Sequence, residues 1–242
     1  HVEGAHDHRP TRDGVRDEIN RVVREIGEFR KLDEPTITGF EFALCQLVAL
    51  ACPHYLILPK LKETLEDLKT REPDKKPNYR VKVVVAGSEN DDPYFIKLIE
   101  ECGARVVADR YCYGSLPGRA EIEIREGETA LDAVARHYLI SSQCTRFMEQ
   151  HIMRQRKEYL ADLVKEYKAD GVVVESMKFC EFWSYEKVLA SHILSEERGI
   201  PTCQIEKDYT LTGAGQLRTR FQAFVEGLEI KRLEKTGKGA TS

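Results

Sequence analysis

A single tryptophan and three methionines stand among 242 residues, and aromatics make up only 8% of the chain. No stretch approaches the roughly 20 consecutive apolar residues that span a bilayer, and the polar amino-terminal residues do not read as a signal peptide. Basic and acidic side chains nearly balance, 37 against 41 for a net charge of -4. There is therefore no basic field to attract nucleic acid or an anionic membrane, and no basic run supplies one locally. The expectation is a soluble, cytoplasmic chain with neither a nucleic-acid nor a membrane partner. Also missing are the G-x-S-x-G elbow of serine hydrolases, the Walker lysine of ATPases and the G-x-G-x-x-G dinucleotide fingerprint.

Cysteines are present but unpatterned. Cys45, Cys52, Cys102, Cys112, Cys144, Cys180 and Cys203 are odd in number, and no two form a C-x-x-C pair. Neither a secreted disulfide framework nor a self-contained zinc or ferredoxin motif is written in that spacing. Reduced, mostly buried thiols are the plainest reading.

The first third of the chain is helical in pattern. Val15, Ile19, Val22, Val23, Ile26 and Phe29 recur at three- and four-residue steps between Thr11 and Leu32, and Pro35 closes that helix. Phe40 to Cys52 is apolar nearly all round, as a buried helix is, and Leu61 to Leu68 repeats leucine at helical spacing. The stretch REPDKKPNYR, from Arg71 to Arg80, has a linker's composition. Residues 1–75 thus read as a helical segment with a linker, and 76–242 as a second unit.

That second unit alternates. Val81 to Ala86, Ala104 to Asp109, Gly171 to Glu175 and Thr202 to Glu206 are short runs, mostly valine-rich and continuous, as strands covered on both faces are. Helical patterns open at Asp92-Pro93, cover Thr129 to Ile140, Glu149 to Lys168 and Ser184 to Glu197, and begin again near Gly215. The predicted fold is α/β: a parallel, doubly wound, flavodoxin- or Rossmann-like sheet of about four strands preceded by a helical segment. In such sheets ligands sit beyond the carboxyl ends of the strands, where the strand order reverses.

Two cysteines, Cys112 and Cys180, fall in strand-end loops. Cys180 lies just past the most apolar strand, close to Lys178, and a thiol beside a cation suits the thiolate chemistry of a metal, a cluster iron or an electrophile. Gly213, Gly215, Arg218 and Arg220 open the last helix, and arginines there call for an anion or an acidic partner. A bound carboxylate, phosphate or nucleotide thioester satisfies that need, and so does pairing with Glu206 or Asp208. His137 and His192 fall on helical stripes, and His6 and His8 lie in the amino-terminal tail.

Met177-Lys178-Phe179-Cys180, then Gly199-Ile200-Pro201, Glu206-Lys207-Asp208-Tyr209 and Gly215-Gln216-Leu217-Arg218-Thr219-Arg220, in this order, resemble the 2-hydroxyacyl-CoA dehydratase and benzoyl-CoA reductase family. The likeness extends from about Glu34 onward. It implies an iron–sulfur subunit of an enzyme that delivers a low-potential electron to an acyl-CoA thioester by way of a radical. It also implies a [4Fe–4S] cluster, a homologous cluster-binding subunit as heterodimer partner, and an ATP-hydrolysing activator as electron donor. Carried over by motif, Cys180 is a cluster ligand. Lys178, Gly215, Arg218 and Arg220 are expected around the cluster or the thioester. The family's other cluster cysteines lie in an amino-terminal α/β domain that this sequence does not show; the expectation is either a fragment, with residues 1–75 a remnant of that domain, or a subunit that has lost it, in which Cys112 or Cys144 substitutes or the site is empty. The residues around Trp183, Asp208 and Phe221 look closer to benzoyl-CoA reductase subunits than to dehydratases, so the reductase is the first expectation. A 2-hydroxyacyl-CoA dehydratase is the second, and a cluster-free subunit that only binds acyl-CoA is the third.

Overall fold

The computed structural model describes residues 12–73, 79–116, 121–141, 143–147, 149–210 and 213–238. The tail histidines His6 and His8, and the segment in which the linker boundary was drawn, lie outside the described residues. Helix α1 (Arg12–Glu28) continues as a 3₁₀ turn through Lys31 and buries Ile19, Val22 and Ile26. Helix α2 (Gly39–Ala51) starts at a reciprocal cap, in which Thr38 Oγ1 accepts from the Glu41 amide and Glu41 Oε2 accepts from the Thr38 amide. Helix α3 (His54–Thr70) begins seven residues earlier than the leucine repeat indicates and contains Pro59. These three helices share a core built around Ile26, Phe42, Leu61, Leu65 and Leu68.

The second unit forms as the alternation requires. Strand β1 (Val81–Gly87) is followed by α4 (Pro93–Glu101), β2 (Ala104–Arg110), α5 (Ala130–Arg136), α6 (Gln150–Glu166), β3 (Gly171–Met177), α7 (Glu181–His192), β4 (Thr202–Lys207) and α8 (Ala214–Lys238). π-helical turns extend α5 to Ser141 and α7 to Glu197. All strand pairs are parallel, in the order β2-β1-β3-β4. Helices α4 and α8 cover one face, where Phe95, Ile99, Phe221 and Val225 pack on Val83, Val85 and Val173. Helices α6 and α7 cover the other, with Leu160, Leu163 and Leu194 on Val84, Val172 and Val174. Burial on both faces explains why these strands read as continuous valine runs.

The helical segment docks on the β2 edge of the sheet. Glu100 accepts from the Gly39 amide at 2.8 Å and from the Phe40 amide at 3.1 Å, so a carboxyl from α4 sits on the positive end of α2. Gly39 is required by that approach, since a Cβ there would come within 2.7 Å of the Val106 side chain. No helix among the described residues is long and apolar enough to cross a membrane.

Candidate functional site

The strand order reverses between β1 and β3, so the carboxyl ends of these two strands form the switch point. Ser88 follows β1 and Glu175 stands in β3 opposite Gly87, and both side chains are buried. The Ser88 hydroxyl lies 3.3 Å from each Glu175 oxygen, donating to the carboxyl, and its own oxygen accepts from the Met177 amide at 2.8 Å. Gly87 is where only glycine fits, because an added Cβ would lie 2.4 Å from Glu175 Oε1. Burial pushes the Glu175 carboxyl up to about 8, against the opposing pull of Lys207, the Ser88 bond and Lys187.

The chain then leaves β3 in a short turn that carries Lys178, Phe179 and Cys180. The Lys178 amide donates to the Lys207 carbonyl at 2.8 Å, and the Cys180 amide donates to the Met177 carbonyl at 3.1 Å. Phe179 takes a left-handed backbone, φ 65°, with its ring 99% exposed, so nothing the ring touches offsets that conformation. Cys180 caps α7, its carbonyl accepting from the Ser184 amide, and its thiol is half-buried. The Lys178 amine pairs with Asp208 at 3.0 Å.

Cys112 and Cys144 come to the same edge of the sheet. The Cys112 thiol sits against Glu89, and burial pushes it up to about 11, with Cys144 nearby. Arg146 reaches 3.9 Å from the Cys144 sulfur and stacks over the Phe182 ring in the first turn of α7, at 5.3 Å. A buried pair holds this loop: Arg156 binds both Glu186 oxygens, at 3.1 and 3.0 Å, and donates to the carbonyls of Cys144 and Phe147. Arg110 donates to the Gln143 carbonyl and faces the Trp183 ring. The described residues nevertheless contain no group of three or more His, Cys, Asp or Glu side chains that could hold a metal ion. As placed, they do not furnish a cluster site, and neither Cys112 nor Cys144 completes one around Cys180.

The arginines of the last helix point elsewhere. Arg218 pairs with Glu101 at 2.7 Å, at the end of α4 that precedes β2, and Arg220 donates to the Gln204 carbonyl at 2.7 Å. Arg218 thus finds an acidic partner within the protein, Glu101 rather than Glu206 or Asp208, whereas Arg220 is met by a backbone carbonyl. Nothing lies within 4 Å of a Cβ built at Gly215, while Gly213, at φ 89°, is the glycine the turn needs. Cys102 is buried and Cys203 half-buried, the latter pushed up to about 11 by burial. His137 is half-buried and His192 is exposed.

Sequence reasoning missed two features. The sequence offers Lys178 or Arg218 as the partner of the strand-end Glu175; the structure instead gives it Ser88, 87 positions away, while Lys178 pairs with Asp208 and Arg218 with Glu101. A cavity of about 450 Å³ between α1, α2 and α6 is also new, with Ile19, Val23 and Phe42 among its apolar lining and Arg24, His54 and Tyr159 among its polar lining. Its residues come from separate elements, and no local motif marks them.

The 2-hydroxyglutaryl-CoA dehydratase D-component family matches residues 14–228. The chain is 29% identical over 169 residues to the (R)-phenyllactyl-CoA dehydratase beta subunit of Clostridium sporogenes, covering 70% of this chain and 43% of that one. Over 242 residues it is 26% identical to the (R)-2-hydroxyglutaryl-CoA dehydratase beta subunit of Acidaminococcus fermentans, covering 94% and 61%. A shorter match, 40% over 62 residues, is to the lactoyl-CoA dehydratase beta subunit of Anaerotignum propionicum, covering 25% and 16%. The chain spans 61% or less of the length of each of these relatives.

Proposed function

Since the chain belongs to the 2-hydroxyglutaryl-CoA dehydratase D-component family, we propose that it is the portion of a 2-hydroxyacyl-CoA dehydratase beta subunit that carries the Cys180 turn. The observation that carries this reading is the family match over residues 14–228 together with relatives that are themselves dehydratase beta subunits. Those relatives move the preferred activity away from the benzoyl-CoA reductase that the motifs favoured first. The reaction proposed is loss of water from a 2-hydroxyacyl-CoA thioester.

Within that enzyme Cys180 is this chain's contribution to a [4Fe–4S] cluster, and the remaining ligands come from outside the residues described here. What supports the assignment is placement: a thiol beyond the carboxyl end of a central strand, beside the switch point, at the first turn of a helix. The partners proposed are a homologous subunit, an ATP-hydrolysing activator and the acyl-CoA. Lys178, held by Asp208, belongs to the same turn. Arg218 and Arg220 serve the packing of α8 in this reading, because protein groups already occupy them.

Turnover by the assembled enzyme, supplied anaerobically with reduced activator and ATP, tests the substrate class. Incubated with (R)-2-hydroxyglutaryl-CoA, phenyllactyl-CoA, lactoyl-CoA and benzoyl-CoA, it is expected to dehydrate at least one of the first three and to leave the fourth unreduced. Reduction of benzoyl-CoA with no dehydration of any 2-hydroxyacyl thioester overturns the proposal.

A further inference from the structure

Glu175 is a costly residue where it stands. A carboxyl with no exposed surface, in a strand whose neighbours are valines, forgoes both hydration and the packing that an apolar side chain would give. Its bonds show where that cost is directed. The Ser88 hydroxyl donates to Glu175, the Met177 amide donates to Ser88, and the Cys180 amide donates to the Met177 carbonyl. Hydrogen bonds on either side of Met177, its amide bonded to Ser88 and its carbonyl to the Cys180 amide, thus link a buried carboxyl through that residue to the backbone of Cys180. Two further bonds grip the same segment, Lys187 on the Ser176 hydroxyl and the Lys178 amide on the Lys207 carbonyl, both at 2.8 Å. The turn is therefore held from β1, β4 and α7 at once. Such a grip is what a left-handed Phe179 requires, since a non-glycine residue keeps that backbone only where its surroundings impose it.

We propose that Ser88 and Glu175 are positioning residues that fix the orientation of the Cys180 thiol. The proposal rests on the reading of Cys180 as this chain's cluster ligand, and it deepens that reading by naming what holds the thiol in place. Ser88 links the end of β1 to the exit of β3, and Glu175 orients the Ser88 hydroxyl so that its oxygen faces the Met177 amide. Neither residue touches substrate.

The test is the rate at which iodoacetamide alkylates Cys180 in the full-length, iron-free protein, followed by peptide mass spectrometry, with Cys203 in β4 as reference thiol in the same molecules. Ser88→Ala is expected to speed alkylation of Cys180 roughly five- to tenfold, the equivalent of one lost hydrogen bond, while Cys203 stays within about twofold. Glu175→Gln keeps an acceptor for Ser88 and is expected to behave as wild type, whereas Glu175→Leu is expected to follow Ser88→Ala. An unchanged Cys180 rate in Ser88→Ala overturns the proposal. So does a parallel rise at Cys180 and Cys203, which reports general loosening, and so does a Glu175→Gln protein as fast as Glu175→Leu. Iron analysis of Cys180→Ser separates the two readings: iron retained in that variant removes the ligand role and leaves the alkylation result standing on its own.

Discussion

Phe179 is one of three non-glycine residues among the described ones whose backbone takes the left-handed conformation, beside Gln143 and Lys168. At φ 65°, with the ring 99% exposed, it makes no packing contact that repays the strain. Glycine adopts that backbone freely, so Phe179→Gly is expected to raise stability by about 0.5–1 kcal/mol in urea unfolding, opposite to the usual effect of glycine. A loss of stability would show that the ring is buried against something in the working protein. The strain was invisible in the sequence, where Lys178-Phe179-Cys180 read only as a motif. Its position was legible, because a valine run followed by a polar loop marks a strand end whatever the loop's backbone does. Hydrogen bonding of the kind Ser88 makes to Glu175 was not legible, since it depends on register between strands far apart in the chain.

At the scale of elements, β1, β2 and β3 are readable because burial on both faces leaves valine and alanine runs, whereas β4, TCQIEK at the sheet edge, is only partly buried; the structure lengthens all four at the carboxyl end. Pairing is a backbone property, so β3 continues past its valines through Glu175, Ser176 and Met177, which pair with Ile205, Glu206 and Lys207. Helix α3 was read short because exposed Tyr55 and Leu56 and the internal Pro59 hide its first turns. The docking of α2 on α4 is not readable at all, because it turns on the burial of Glu100, which no local sequence pattern marks. Burial pushes Glu100 up to about 7 despite the amides of Gly39, Phe40 and Val106 that bond it. A carboxyl with a higher value folded than unfolded binds its proton more tightly in the folded state. Its contribution is therefore fully present below the ordinary glutamate value of 4.5 and is lost as pH rises to about 7; Glu175 acts likewise up to about 8. Stability measured by urea unfolding is expected to decline between pH 5 and pH 8, by on the order of 1–3 kcal/mol. Glu100→Gln is expected to lower stability at pH 5 and to flatten the decline, whereas a slope identical to wild type would contradict this assignment.

Over the whole molecule, a helical segment, one parallel sheet and its covering helices bring the exits of β1, β2 and β3 to one edge, and Cys112, Cys144 and Cys180 lie along it. Only Cys180 combines the motif with a turn gripped from three elements. Arg156 and Glu186 fix the neighbouring Cys144 loop, and Arg218 and Arg220 are spoken for on the α8 side. The proposed function therefore rests on one thiol of this chain, Cys180. The most direct measurement is anaerobic dehydration of a 2-hydroxyacyl-CoA by the assembled enzyme containing Cys180→Ser, alongside its iron and sulfide content and its circular dichroism. A folded variant with activity lowered at least a hundredfold and with iron lost from this subunit is the predicted result. A folded variant that keeps both its iron and its turnover would contradict the account.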